Sequence, residues 1–181
     1  MSNTFDILIN IGKKRMRHKN ITLIGMPGAG KSTIGVLLAK VLGYHFIDSD
    51  IVIQETEGKL LHEIIKERGV DGFLHVEDRV NASIECENSV IATGGSVVYC
   101  ENAMKHLKEI STAVYLELDY EAVAIRLGNL KDRGVALKEG QTLKDLYDER
   151  VPLYKKYADI TVNVQKNSVQ DCMRAVVDAL S

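Results

Sequence analysis

Short apolar runs alternate with helical stripes along this chain. Ile21-Thr22-Leu23-Ile24 is the kind of run carried by a strand buried on both faces. Ile34, Leu37, Leu38 and Val41 then recur at i, i+3, i+4 and i+7, which predicts a helix stopped at Gly43. A second short strand reads at His45-Phe46-Ile47 and runs into Asp48-Ser49-Asp50. Residues 51–86 predict two or three helices with a break at Gly69 to Gly72. Further strands are expected at Val90–Ala92, Ala113–Leu116 and Asp159–Val164, with Asp119 as a helix N-cap after the fourth. Thr142 with Asp145, and Ser168 with Asp171, set an acid three residues after a hydroxyl, the signature of a helix start. Between Gly128 and Gly140 the pattern gives way to charge and glycine, which predicts a mobile surface loop.

Strands alternating with helices at this spacing imply an α/β domain, a parallel sheet with helices on both faces. Ligands bind beyond the carboxyl ends of such strands, so the residues just after each strand carry the functional reading.

Composition narrows the classes. At 181 residues the chain suffices for one sizeable domain. Lys+Arg of 23 against Asp+Glu of 25 argues against a nucleic-acid surface. No apolar run approaches the ~20 residues of a membrane span. Cys86, Cys100 and Cys172 are sparse and odd in number, which fits buried thiols in a reducing cytosol. Phe5–Ile11 precedes the charges Lys13, Lys14, Arg15, Arg17 and Lys19, the reverse of a secretory signal. Residues 1–19 read as an N-terminal extension outside the fold. The expected location is cytoplasmic, the expected state a monomer, and the expected partner a small molecule rather than nucleic acid or membrane.

The first strand ends at Gly25-Met26-Pro27-Gly28-Ala29-Gly30-Lys31-Ser32, which fits GxxxxGK[ST] between a strand and a helix. Glycines let main-chain N–H groups turn inward around an anion, and the following helix aims its positive end at the same point. Lys31 can reach the β- and γ-phosphates, and the Ser32 hydroxyl can ligate Mg²⁺. This predicts a nucleoside triphosphate site.

Asp48 and Asp50 leave the second strand on the ligand side. Alone they read as a helix cap and a solvated acid. Beside a phosphate loop they can divide two jobs, holding Mg²⁺ and taking the acceptor's hydroxyl proton, and the sequence does not choose between them. Thr93-Gly94-Gly95-Ser96 follows the third strand, either as a plain turn or as a place where a ligand lies against the main chain. No Asp ends that strand, which strengthens the case for Asp48 serving the metal. Arg150 shares a helix face with Leu143, Leu146, Tyr147, Val151 and Tyr154, so it points inward, toward a structural ion pair or a substrate anion. Pro152 is expected to kink or end that helix. Arg133 in the glycine-rich loop can fold over the transferring phosphoryl group, or stay solvated. Arg126 closes a helix, either beside a nucleotide base or as a partner of the helix dipole.

From residue 20 to about 180 these residues resemble the shikimate kinases. Gly28, Ala29, Gly30, Lys31, Ser32 and Thr33 are similar to the family's phosphate loop. Asp48-Ser49-Asp50 looks like its DxD, which implies Mg²⁺ for Asp48 and a ring hydroxyl of shikimate for Asp50. Gly94-Gly95 fills two places of its triple glycine, and Arg150-Val151-Pro152-Leu153-Tyr154 resembles its RxPLY, whose arginine grips the substrate carboxylate. The resemblance implies adenine contact for Arg126 and phosphate stabilisation for Arg133. It implies ATP and Mg²⁺ as cofactors and a three-layer P-loop kinase fold over 20–181, strand order 2-3-1-4-5, with a lid about 128–140.

Three departures stand out. The family's Phe-Arg-x-x-Glu is Phe73-Leu74-His75-Val76-Glu77, so a second carboxylate-binding arginine is absent. The third glycine is Ser96, and the lid's Arg-Pro-Leu-Leu is Arg133-Gly134-Val135-Ala136. With Phe73, Val76, Val80 and Ile84 taken as the inward face, Arg79 lies more than 90° round from Leu74 at ~100° per residue and is a poor substitute. Phosphorylation of shikimate is the expected reaction. The alternatives are a kinase of another polyol, such as a gluconate-type substrate, and an ATP-binding regulatory protein without transfer. Retention of Arg133 with Asp48 and Asp50 favours an enzyme.

Overall fold

Five parallel strands lie in the order β2-β3-β1-β4-β5. The structure is a computed structural model and describes residues 20–127, 140–165 and 168–180. The N-terminal extension, nearly all of the predicted loop and Arg133 fall outside those residues.

The strands are β1 (Asn20–Ile24), β2 (His45–Asp48), β3 (Ser89–Ala92), β4 (Ser111–Glu117) and β5 (Ile160–Asn163). Between them run α1 (Lys31–Leu42), α2 (Ser49–Glu57), α3 (Leu61–Asn81), α4 (Glu101–Ile110), α5 (Tyr120–Leu127) and α6 (Leu143–Tyr157), and α7 (Val169–Leu180) follows β5. Strands β1 and β3 are buried along their whole length, as central strands covered on both faces must be. The main core gathers Ile21, Leu23, Val90, Ile91 and Val114 of the sheet with Ile34 and Leu38 of α1 and Val176 and Val177 of α7. A smaller cluster of Ile53, Ile64, Phe73, Val76 and Val80 joins α2 to α3.

The predicted order and alternation match what is seen. The break near Gly69 is a single non-helical residue, φ 69° and ψ −179°, inside α3. Ile84 lies past the end of α3 and buries in the main core, whereas Phe73, Val76 and Val80 form the inward stripe of the smaller cluster. Pro152 neither ends nor bounds its helix, because α6 runs five residues beyond it to Tyr157. Both hydroxyl caps form, Thr142 on Asp145 and Ser168 on Asp171. No helix among the described residues is long and apolar enough to cross a membrane.

At the amino end of the sheet Asn20 ties three elements together. Its amide donates to the carbonyls of Cys86 and Ile110, and its oxygen accepts from Ser89 N–H at 3.0 Å. Asn20→Ala leaves these groups unpartnered in a buried place, an expected loss of about 2–4 kcal/mol. The melting temperature should fall by roughly 5–10 °C. Thermal denaturation measures this, and an unchanged midpoint would remove Asn20 as the tie.

Candidate active site

The chain leaves β1 at Ile24 and turns through Gly28 at φ 80° and Gly30 at φ 90°, both in the left-handed region open to glycine. Helix α1 starts at Lys31, and no side chain caps it, so its first N–H groups point at the space the loop encloses. Lys31 Nζ donates to the carbonyls of Gly25 at 2.8 Å and Met26 at 3.1 Å. Burial pulls its pKa down to about 8, with Asp50 and Asp48 opposing the shift and Arg150 adding to it.

Asp48 caps a helix, as its sequence allowed, and also meets the phosphate loop. One carboxylate oxygen caps α2 by accepting from Asp50 N–H at 3.1 Å, and the other accepts from the Ser32 hydroxyl at 2.7 Å. A hydroxyl and a carboxylate at this distance form a hard oxygen pair of the kind Mg²⁺ prefers. Among the described residues no three His, Cys, Asp or Glu side chains gather as a metal site, so an ion at this pair would take its other ligands from water and phosphate. Asp50, one helical step on, turns into the cavity instead. Burial raises its carboxyl above the usual range, Asp48 adds to this and Lys31 opposes it.

Gly94 and Gly95 line the cavity, and neighbouring side chains leave no room for a β-carbon at either position. A β-carbon on Gly94 would stand 2.4 Å from Glu77 Oε1 and 3.1 Å from Asp50 Oδ1. One on Gly95 would stand 2.8 Å from Pro27 Cδ and 3.1 Å from an Arg150 nitrogen. The Tyr154 hydroxyl donates to Gly95 O at 2.6 Å and fixes this turn from below, and its ring stacks on Tyr115 at 5.1 Å. Arg150 is 2% exposed, so the inward reading of its helix face is right. Its Nε donates to the Tyr99 hydroxyl at 3.3 Å, and the guanidinium lies over the Tyr99 ring at 5.2 Å.

These parts enclose one cavity of about 370 Å³. Gly28, Gly30, Lys31, Ser32 and Thr33 line one end, and Asp50, Gly94, Gly95, Ser96 and Arg150 the other. Ala29 is fully buried behind the loop. Arg126 does not line this cavity. It packs behind the phosphate loop, donating to the carbonyls of Val164 at 3.1 Å, Gln165 at 3.4 Å and Gly28 at 3.5 Å. Leu74 also points elsewhere, into a second cavity of about 390 Å³ that it shares with Tyr99, Asp71 and Asp78. Arg79 is committed to Glu57, and Asp78 caps α4 through Ala103 N–H at 2.8 Å.

The shikimate kinase family model matches residues 27–181. The shikimate kinase of Persephonella marina is 34% identical over 151 residues, covering 83% of this chain and 92% of that protein. The shikimate kinase of Haemophilus influenzae strain PittEE is 36% identical, with 90% and 92% covered. The shikimate kinase of Acinetobacter baumannii, solved in complex with shikimate, superposes with a TM-score of 0.79 at 32% identity, covering 89% of this chain and 92% of that one. The chain belongs to the shikimate kinase family. It is a phosphotransferase with an alcohol acceptor, built on the α/β P-loop kinase fold.

Two side chains beside this site are not marked as candidates by the sequence. Tyr99 sits on a short 3₁₀ turn, Val97–Tyr99, whose position against α6 no periodicity reveals. Glu77 reads in the sequence only as the retained acid of Phe-x-x-x-Glu, yet it is wholly buried and its Oε1 has no hydrogen-bond partner among the described residues. Burial pushes its carboxyl up to about 7; a hydrogen bond from Ser96 partly offsets this, Asp50 adds to it, and Arg150 and Lys31 oppose it.

The raised value makes stability depend on pH. Between an unfolded value near 4.5 and a folded value near 7, the folded protein holds a proton that the unfolded chain has released. This contribution is full below pH 4.5 and is lost as pH rises through 7. Relative to Glu77→Gln, the parent should lose roughly 2 kcal/mol between about pH 5 and pH 8. Urea denaturation of both proteins at the two pH values checks it, and parallel profiles would mean that Glu77 holds no such proton.

Proposed function

We propose that this enzyme transfers the terminal phosphoryl group of ATP to a ring hydroxyl of shikimate, with Mg²⁺. The observation that carries the reading is a single cavity with an amide-and-lysine cradle at one end and an acid, a glycine turn and a buried arginine at the other. Backbone amides from Gly28 to Thr33 would hold the phosphates, with Lys31 moving from the loop carbonyls to the phosphate oxygens. Ser32 and Asp48 would hold Mg²⁺, directly and through water respectively, and the ion would offset charge on the transferring group. Arg126 would border the base from its place behind the loop, and Arg133 would neutralise the moving phosphoryl group.

Asp50 is assigned the acceptor's hydroxyl. It faces the cavity, whereas Asp48 is engaged by Ser32 and by the α2 N-terminus. A carboxylate whose basicity is raised by burial is suited to draw off the hydroxyl proton as the oxygen attacks. Arg150 would hold the carboxylate of shikimate, and Gly94-Gly95 would bring the acceptor close to Asp50 and the arginine. The acceptor's acid thus meets one guanidinium where the family pattern supplies two, because Leu74 carries no charge.

ADP release against shikimate, quinate and gluconate tests the assignment. Turnover with shikimate supports it, and turnover with gluconate alone would replace shikimate as the acceptor. Lys31→Ala is expected to abolish transfer in folded protein, read in the same assay; undiminished turnover would remove the phosphate loop from the mechanism. Leu74→Arg is expected to lower the Michaelis constant for shikimate about ten- to hundredfold, the worth of one charge-assisted hydrogen bond. An unchanged constant would mean that the acceptor's acid is held away from position 74.

A further inference from the structure

Among the described residues Glu77 is the only wholly buried acid. A buried carboxylate is ordinarily kept ionised by a cation or by several donors. Glu77 takes part in none of the ion pairs among the described residues, and its Oε1 meets no donor there. Its Oε2 is met by the Cys100 thiol at 3.9 Å, and the same thiol lies 3.5 Å from the Leu74 carbonyl. Positions 74 and 77 are three apart on one helix and therefore neighbours on its surface. A cation at 74 would stand within reach of this carboxyl, and Leu74 supplies none.

The carboxyl is set against the lining of the main cavity. Its Oε1 lies 2.4 Å from the place of a β-carbon on Gly94, and Asp50 Oδ1 lies 3.1 Å from the same point. Gly94 and Asp50 both line that cavity. Two carboxylate oxygens from different helices thus converge beside one glycine, which disfavours charge on Glu77. Lys31 from α1 and Arg150 from α6 face it as well and favour the charged form, but burial outweighs them. Asp78, its neighbour on α3, is turned to the start of α4.

We propose that Glu77 is a positioning residue that admits acidic acceptors by its charge state: neutral, it leaves the far end of the cavity open to a carboxylate-bearing polyol, and ionised, it repels one. The proposal rests on the acceptor reading above and goes beyond it, because acceptor affinity then depends on a proton held behind Gly94. Glu77 acts without touching the acceptor, since a unit charge is felt across several ångströms of protein. The acceptor's carboxylate in turn favours retention of the proton, so binding and protonation support each other.

The Michaelis constant of the parent for shikimate should rise roughly tenfold between about pH 6 and pH 8. Glu77→Gln, a neutral isostere, should keep the low value at both, and the ratio of the two proteins' kcat values should not change with pH. Lys31 and Asp50 are present in both proteins, so the difference belongs to Glu77. The carboxamide of shikimate carries no charge to repel and should show no such rise in the parent, a comparison that stands even if Glu77→Gln does not fold. The infrared difference between parent and Glu77→Gln should show a protonated carboxyl at about pH 6 that fades by about pH 8. Equal pH dependence in parent and Glu77→Gln, an equal rise with the carboxamide, or no protonated carboxyl at the lower pH overturns the role of Glu77. Absence of shikimate turnover in the parent at either pH overturns the acceptor reading and the inference with it, whereas the infrared band reports the proton on Glu77 by itself.

Discussion

Two missing β-carbons at the end of β3 are the constraint on which the cavity's wall opposite the phosphate loop depends. The space beside Gly94 is taken by Glu77 and Asp50, from two different helices, and the space beside Gly95 by Pro27 and Arg150. A side chain at either position would push apart groups that must converge within a few ångströms. The central strands supply the rigidity for this arrangement, since β3 is hydrogen-bonded between β1 and β2 and buried throughout. Tyr154 then pins the turn to α6 through the Gly95 carbonyl. The glycine pair, the strand beneath it and the helix beside it are one mechanical unit.

Convergence of this kind brings an electrostatic cost. Lys31, Glu77 and Arg150 are nearly or fully buried, and Asp50 is half-buried against them. Desolvation disfavours the charged form of each acid and of the lysine, and it is the largest cause of shift for Lys31, Asp50 and Glu77. The opposing charges offset only part of this. A site so arranged is poised for a bound anion, which would bring Lys31 the negative partner that two carbonyl dipoles now imitate. Such stored cost is the usual companion of a binding site, where stability is given up for readiness.

The alternation of strands and helices, the glycine-rich turn before Lys31, the inward Arg150 and the capping roles of Thr142, Ser168 and Asp119 were legible in the sequence, because each follows from local periodicity or from a short motif with its own mechanics, whereas the strand order came only with the family resemblance. What escaped was non-local. At Gly94 and Gly95 nothing in the sequence says which distant side chains, Glu77, Asp50, Pro27 and Arg150, crowd the place of a β-carbon. Pro152 was expected to break α6, but tertiary packing of Tyr154 and Arg150 on either side carries the helix through it. Tyr99 lies in a three-residue turn with no stripe to read. Ile84 followed the helical spacing of α3 numerically but falls beyond the last turn, where it serves a different core.

The departures from the family pattern fall unevenly, and the division has a physical reason. The nucleotide end of the cavity is built chiefly from main-chain N–H groups, glycine torsions and a helix end, with Lys31 and Ser32 as its motif side chains. Those features tolerate little exchange, because the amides must point inward and only glycine adopts the required angles freely. The other end is built from side chains carried on α2, α3 and α6 and from the Thr93–Ser96 segment after β3. Leu74 lines the neighbouring cavity, so the absence of a charge at position 74 leaves the described lining of the main cavity in place. The short segment after β3 joins the two spaces, because Gly95 and Ser96 line the first, and Tyr99, whose hydroxyl accepts from Arg150 Nε, lines the second. Side chains on that segment and on the helices around it can therefore be exchanged without disturbing the cradle of main-chain amides.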